Sequence, residues 1–468
     1  MTAPAVVWFR QDLRLADNPA LTAAAVDGRP VLALFVLDDA APGRWRLGGA
    51  SRWWLHHSLA ALDRDIAARG GRLVLRRGAA AAVLAELVAT GGVTAVFWNR
   101  RYEPWAVAQD KAIKAALVAR GLAVRSFKAS LVREPWELGE APGLRVFSPF
   151  HRRWLELGLP DAPLPVPEPL RLVSDVPSES LASWELLPTQ PDWAQGLRET
   201  WQPGEAAAWA RAERFLAAAL GRYGSARHRP DRDGVSRLSP HLRFGEISPR
   251  ALVHHAGLHS SFARQLAWRE FAAQLLFFQP GLPEQELQLA LRGFPWRDDP
   301  PALRAWQRGR TGWPMVDAGM RELRRTGWMH NRARMITASL LTKHLLVDWR
   351  AGQDWFWDNL VDADLASNAM SWQWVAGTGT DTRGFARIFN PIKQGAEQDP
   401  HGAYVRRWVD ELADVPDAWV HRPHEAPPEQ LDARARAYPR PIVDLAAGRA
   451  RALATLAAHV GDGASDDE

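Results

Sequence analysis

Over the first 130 residues, short apolar runs alternate with helix-patterned segments, and beyond residue 200 that alternation stops. Ala5–Phe9, Val31–Leu37, Arg72–Arg76, Thr94–Trp98 and Ala123–Phe127 read as strands. Pro19–Val26, Ser51–Arg69, Ala79–Thr90 and Pro104–Arg120 read as the helices between them. Strands alternating with helices build a parallel, doubly wound sheet. The Gly-rich dinucleotide fingerprint that would follow the first strand is missing, and VVWFRQDLRLADNPAL stands there instead. The domain is therefore Rossmann-like in architecture without the usual means of binding NAD or FAD. The segments FVLDDA and WNRRYEP, after strand ends, are where such a domain places a ligand. Residues 131–200 are Pro-rich (LPDAPLPVPEPL, DVPSESLASWELLPTQPDW) and read as an ordered connector. From about 201 to 458 the periodicity is helical almost throughout. The expected chain is an α/β N-terminal domain (1–130), an interdomain connector (131–200) and an all-helical C-terminal domain (201–468).

Cysteine is absent, which removes disulfides, thiolate nucleophiles and cysteine-ligated zinc or iron–sulfur centres. No apolar stretch is long enough to span a membrane. The start, MTAPAVVWFRQDLR, has no basic segment leading into a long apolar run, so a cytoplasmic protein is expected. The formal charge is +5, and without the four acids of the final GDGASDDE the body stands at +9, which suits a polyanionic partner. The chain holds 24 tryptophans against 16 phenylalanines and 4 tyrosines. Packing accounts for most of them, but leucine would pack as well, so the excess invites stacking or redox-active indoles. The pairs His56/His57 and His254/His255 read as surface histidines, not a metal site.

Four segments of the C-terminal half carry chemistry. If DADLASNAMSWQW is helical from Asp364, then Asp364, Asn368 and Trp372 share one stripe. That stripe makes a wall for a polar aromatic ligand, and a capped helix with a buried tryptophan would look the same. In GWMHNRARM, Asn331, Arg334 and Met335 share a face, and an interior Arg334 needs a carboxylate such as Asp362; a surface helix start with solvated arginines is the alternative. In YGSARHRPDRDGVSRLSPHLRFGEISPR, Ser236, Ser239 and loop amides can hold a phosphate, although Ser-rich caps are common. In QLAWREF, Gln265, Trp268 and Arg269 present an amide, a stacking surface and a cation on one helical face, a set that suits a flipped base.

SRLSP (236–240), WREF (268–271), TGWPMVDAGMREL (311–323), GWMHNRARMITAS (327–339), DADLASN (362–368), WQWVAGTGTD (372–381) and RIFNP (387–391) resemble the photolyase/cryptochrome signatures in order and spacing. WFRQDLRLADNPAL resembles the start of that family's antenna domain, so the resemblance spans essentially the whole chain, and it is nearest to the bacterial cyclobutane pyrimidine dimer photolyases. It implies an antenna domain followed by a helical domain that binds FAD and UV-damaged DNA, in a monomer with no membrane partner. Tyr223, Ser236, Arg237, Leu238 and Ser239 would hold the FAD phosphates. Arg269, Trp328, Asn331, Arg334, Asp362 and Asp364 would line the flavin and ribityl chain, with Arg334 paired to Asp362, and Asn368 would face flavin N5. Trp372, Trp349 and Trp296 would form the electron chain for photoreduction. Trp268 and Trp374 would sandwich a flipped dimer beside Gln265, Asn331 and Met335, while Arg227, Arg332, Arg387 and Lys393 would contact phosphates.

The implied activity is light-driven repair of cyclobutane pyrimidine dimers by electron transfer from excited reduced FAD. The alternatives are a cryptochrome-like blue-light photoreceptor without efficient repair, or a (6-4) photolyase, although (6-4) enzymes carry histidine where Asn331 stands. GGASRWWLHHSL resembles relatives that bind methenyltetrahydrofolate as a second antenna chromophore; other relatives use a deazaflavin. Three departures stand out. Gln265 replaces the usual glutamate, Val235 the frequent threonine, and DTRGFARIFNP lacks the Pro-Tyr-Phe sequence and gains an arginine at position 383.

Overall fold

The apolar runs pair as one parallel sheet in the order β3–β2–β1–β4–β5. The strands are β1 (Ala5–Phe9), β2 (Val31–Leu37), β3 (Leu73–Arg77), β4 (Ala95–Asn99) and β5 (Ala123–Phe127). The structure, a computed structural model, describes residues 3–139, 142–380 and 384–463; Asp381, Thr382, the arginine at 383 and the acidic end from Ala464 lie outside the described residues. The crossovers are α1 (Pro19–Val26), α2 (Gly49–Ala67), α3 (Ala80–Thr90) and α4 (Pro104–Ala119). Every residue of β1, β2 and β4 is buried, so both faces of these strands are covered and their sequences run apolar without alternation. β3 and β4 begin one residue later than their sequences suggest, because Leu73 pairs with Ala33 and Ala95 with Ala5.

The strand order reverses between β1 and β4, where a doubly wound sheet ordinarily opens a ligand crevice. Side chains fill that position here. Asn99 donates to Asp12 at 2.5 Å and to Asn18 at 2.7 Å, Arg10 pairs with Asp110 at 2.6 Å, and Asn18 caps α1 by accepting from Leu21 N at 3.2 Å. A buried carboxylate at Asp12 beside the start of α1 is the wrong charge for a phosphate.

Contacts gather the chain into two units: Met1–Gly221, Ser236–Pro280 and Val361–Ala366 form the first, and Arg222–Val235, Gly281–Leu360 and Ser367–Glu468 the second. In the first unit the Pro-rich connector returns to the sheet. Val31 N donates to Arg171 O at 2.7 Å, and Leu75 N donates to Ser178 Oγ at 2.9 Å. The connector also forms α5 (Phe147–Glu156). Next, α6 (Ser239–Phe244) ends at Gly245, whose φ is +67°; a Cβ there would lie 2.0 Å from Gln11 O, so only glycine closes the turn. Buried Glu246 accepts from Trp54 Nε1 at 3.0 Å and Gly204 N at 2.8 Å. The long α7 (Ser261–Phe278) carries Glu270, whose carboxylate accepts from Val132 N, from Arg133 N at 3.0 Å and from Trp154 Nε1 at 2.6 Å.

The second unit is built from α8 (Pro314–Thr326), α9 (Asn331–Ser339), α10 (Trp349–Asn359), α12 (Pro391–Gln398), α13 (Leu445–Gly463) and, between α10 and α12, most of α11 (Leu365–Ala376). α9 runs into a π-helical turn, Leu340–His344. There the buried Lys343 donates to Ala376 O at 2.6 Å and satisfies a carbonyl at the end of α11. Burial holds the Lys343 ammonium well below its usual range.

Burial pushes the Glu270 carboxyl up to about 7, against three N–H donors that favour its charged form. The folded protein therefore holds this proton more tightly than the unfolded chain. Its contribution to stability is full below the ordinary value of 4.5 and declines as pH rises through about 7. Glu270→Gln, whose amide would point an N–H at donors, is expected to lower stability by about 1–3 kcal/mol. The gap from the unsubstituted protein should narrow as pH rises from about 4.5 to about 7 and stay level above that. Denaturant unfolding across that range measures both effects.

Candidate functional site

In the second unit, α8 ends at Gly327 in the left-handed region and the chain turns through Trp328 and His330 into α9. Glu322 holds this turn, accepting from His330 N at 3.1 Å and from the Tyr404 hydroxyl at 2.6 Å. One face of α9 brings together Asn331, Arg334 and Met335. The Asn331 amide lies 3.9 Å from Met335 Sδ, and Arg334 donates to Met329 O at 2.8 Å with its guanidinium 5.9 Å from the Trp328 ring centre. Arg332 leaves this group and donates through Nε to His228 Nδ1 at 2.9 Å. Arg227 Nε sits 3.5 Å from the other imidazole nitrogen. A neutral imidazole has one lone pair, so with Nδ1 accepting from Arg332 the Nε2 carries the proton, and it presents an N–H beside Arg227. Burial and the two arginines hold His228 below its ordinary value, in the neutral form. Tyr223 is buried alongside, its hydroxyl pushed up by burial and drawn back by Arg227.

α11 sets Asn368 one turn before Trp372. Asn368 is 8 % exposed and donates from its amide to Gln353 O at 3.0 Å, which leaves the amide oxygen as its acceptor. Trp372 is buried edge-on to Phe356 (5.0 Å) and Trp306 (6.1 Å). It lies directly on the backbone of α10, where a Cβ on Gly352 would come 2.1 Å from its ring. Trp349 is the first residue of α10, capped by Asp348, and it is fully buried. Trp296 precedes Arg297, which bridges to Val347 and donates from N to Leu346 O at 2.8 Å. Backbone pairing thus links Trp296 to the start of α10, and Gly352 links α10 to Trp372. Further along, the Arg387 guanidinium lies 4.8 Å over Trp374. Exposed Lys393 stands in the first turn of α12, where Asn390 caps its N–H at 3.1 Å.

In the first unit, Arg237 takes a left-handed φ of 51° and the following Leu238 is right-handed. Alternation of this kind makes the backbone N–H nests that hold anions. Ser236 Oγ accepts from Leu238 N at 3.3 Å, Leu238 is buried, and Ser239 opens α6 with an exposed side chain. Asp362 is buried and Asp364 half-buried, just ahead of α11, which starts at Leu365, one residue later than the motif suggests. Gln265, Trp268 and Arg269 share one half-buried face of α7. Gln265 Nε2 lies 3.5 Å from Ser261 O, and Arg269 donates to Ser130 O at 2.6 Å.

Two contributors escape sequence reasoning. Buried Arg243 donates to Ala363 O and so fixes the turn between Asp362 and Asp364; burial lowers its pKa while Glu103 and Asp364 pull it back. A cation between Leu242 and Phe244 was the available signal. Gly352 had none, because its role exists only against Trp372.

The chain matches the model for DNA photolyase over residues 5–169 and that for the FAD binding domain of DNA photolyase over 262–458. It is 48% identical to the deoxyribodipyrimidine photo-lyase of Agrobacterium fabrum, covering 98% of each chain. It is 40% identical to cryptochrome-1 of Arabidopsis thaliana, over 95% of this chain and 69% of the relative. The crystal structure of a class III photolyase from Agrobacterium tumefaciens superposes with a TM-score of 0.93 at 47% identity and covers 98% of both chains. The chain belongs to the DNA photolyase/cryptochrome family.

Because an indole cannot shrink away from a Cβ at 2.1 Å, Gly352→Ala should displace Trp372 and cost about 1–3 kcal/mol. Thermal unfolding together with near-UV circular dichroism of the tryptophans tests this.

Proposed function

We propose that this chain is a photolyase that repairs cyclobutane pyrimidine dimers in DNA, with FAD as its cofactor. The observation that carries the reading is the continuous backing of Trp296, Trp349 and Trp372 by paired backbone and Gly352, with Asn368 one turn from the last of them. Bound and reduced, FAD supplies the light-excited electron. In the second unit, Tyr223, Trp328, Asn331, Arg334 and Asn368 would contact it. In the first, the Ser236–Ser239 nest would take phosphate while Arg269, Asp362 and Asp364 meet the polar chain. This donor set fits a dinucleotide: a backbone nest for the charge, and a buried amide whose nitrogen is committed to Gln353 and whose oxygen can accept from a ring N–H. Trp296, Trp349 and Trp372 relay an electron inward from the surface. Gln265, Trp268, Asn331, Met335 and Trp374 receive the dimer, and Arg227, Arg332, Arg387 and Lys393 hold its phosphates. A monomer in the cytoplasm belongs to the same proposal; among the described residues no helix is long and apolar enough to cross a membrane.

A methenyltetrahydrofolate or deazaflavin antenna in the sheet-bearing unit completes the reading. There the indole of Trp54 is committed to Glu246, and His57, pushed to about 4 by burial, packs 4.6 Å from Trp53. Gln265 favours one rival, a photoreceptor of the cryptochrome kind, because an amide supplies neither a carboxylic proton nor a charge to the dimer carbonyls. The absence of histidine at Asn331 counts against (6-4) repair.

Blue light on the reduced protein should restore the pyrimidines of a cyclobutane-dimer oligonucleotide and leave a (6-4) oligonucleotide intact, as read by chromatography. No repair by a protein that binds and photoreduces FAD would assign the photoreceptor instead. Gln265→Glu should raise the repair yield, by at most the worth of one hydrogen bond, about 1–3 kcal/mol. Trp349→Phe should abolish photoreduction from the oxidised state yet leave repair by chemically reduced protein unchanged.

A further inference from the structure

Helices α5 and α7 meet through a run of rings of which the roles above use only Trp268. Trp268 lies face to face with Phe147, centroids 3.6 Å apart and planes 7° from parallel. Phe147 stacks against His151 at 5.3 Å, and His151 is nearly parallel to Trp154 at 6.2 Å. Positions 147, 151 and 154 fall on one stripe of α5, and Trp154 Nε1 returns to α7 through its bond to Glu270 at 2.6 Å. Phe271 stands in the middle, edge-on to Phe147 at 5.7 Å and to Trp268 at 5.6 Å. α5 therefore grips α7 on both flanks of Phe271, at Trp268 and at Glu270.

An aromatic pair prefers offset or edge-on geometry to direct overlap, so the Trp268–Phe147 overlap reflects burial; Phe147 is only 6 % exposed. A half-buried indole on a helix would otherwise change rotamer, and immobilising it on binding costs affinity. With Phe147 against one face the plane is set beforehand, and a base can stack only on the other. Arg264, one turn earlier on α7, places its guanidinium 5.5 Å over Phe147 from the exposed side and helps hold the ring in place.

We propose that Phe147 is a positioning residue for lesion recognition: it presets the Trp268 plane and makes that indole a one-faced platform for the flipped dimer. The inference rests on the reading of Trp268 as a dimer contact. The measurement is equilibrium binding of the FAD-loaded protein to duplexes with and without one cyclobutane dimer, in Phe147→Leu, Phe147→Tyr, Trp268→Ala and the double variant Phe147→Leu/Trp268→Ala. Phe147→Leu should weaken dimer binding roughly 3- to 10-fold, the range of one ring pair and one immobilised side chain, with undamaged binding and flavin absorption unchanged. Phe147→Tyr, which keeps the ring, should restore the preference, and in the Trp268→Ala background Phe147→Leu should add nothing. If Trp268→Ala loses the preference and Phe147→Leu keeps it, the positioning role is wrong while the repair reading stands. If the unsubstituted protein shows no preference for the dimer, both fall. The ratio of damaged to undamaged binding separates these outcomes from a loss of folded protein, which would lower both affinities together.

Discussion

A carboxylate taken wholly out of water must be given donors, and Glu270 obtains three from two different places: the start of the connector at Val132 and Arg133, and the indole of Trp154 on α5. That requirement fixes the rotation of α7. Turning the helix by one residue would bury the guanidinium of Arg269 and release the carboxylate, so Glu270 must face inward. With successive residues about 100° apart on a helix, the inward Glu270 places Phe271 against α5 and leaves Gln265, Trp268 and Arg269 half-buried, with the Trp268 ring lying on Phe147 of α5. The residues proposed to meet DNA and flavin are thus oriented by a residue that touches neither.

The sheet was legible in the sequence because strands buried on both faces cannot alternate, and unbroken runs such as VLALFVL admit few other readings in a chain punctuated by helices. Its ends were legible only to within a residue, since Leu73 and Ala95 are set by partners on other strands. The site divides the same way. Asn368 and Trp372, or Asn331, Arg334 and Met335, are neighbours by helical spacing, so the pattern alone groups them. Gly352, Phe147, Arg243 and Glu270 act across elements and have no local period. Nothing in GQDWFW says that an indole from another helix will rest on the glycine.

The basic groups show what geometry adds to charge. The family resemblance implies a phosphate role for Arg227 and Arg332, and the net charge of the body suits it. The structure interposes His228, whose single lone pair Arg332 occupies, so its other nitrogen carries the proton next to Arg227. Two cations flanking a neutral donor concentrate hydrogen-bond donors without bringing a third charge into the same space. A phosphate approaching them meets an arrangement whose mutual repulsion it relieves.

The tryptophans sort by what their N–H groups do. Trp54, Trp98, Trp154 and Trp184 donate to Glu246, Asp110, Glu270 and Glu179, and Trp306 to the carbonyl of Thr337. These indoles join elements, and an amphipathic ring with one donor does this where leucine could not. In Trp296 and Trp349 the indole nitrogen is buried and meets no hydrogen-bond partner among the described residues, a property they share with Trp8, Trp313 and Trp408. The distinction matters for the proposed relay. An oxidised indole bonded to a carboxylate surrenders its proton and traps the hole, whereas one without an acceptor keeps the proton and can pass the hole onward. An unbonded N–H is not sufficient, since Trp8 lies in the sheet with Arg10 over its ring. What distinguishes Trp296 and Trp349 is that free N–H combined with backbone pairing that leads, through Gly352, to Trp372.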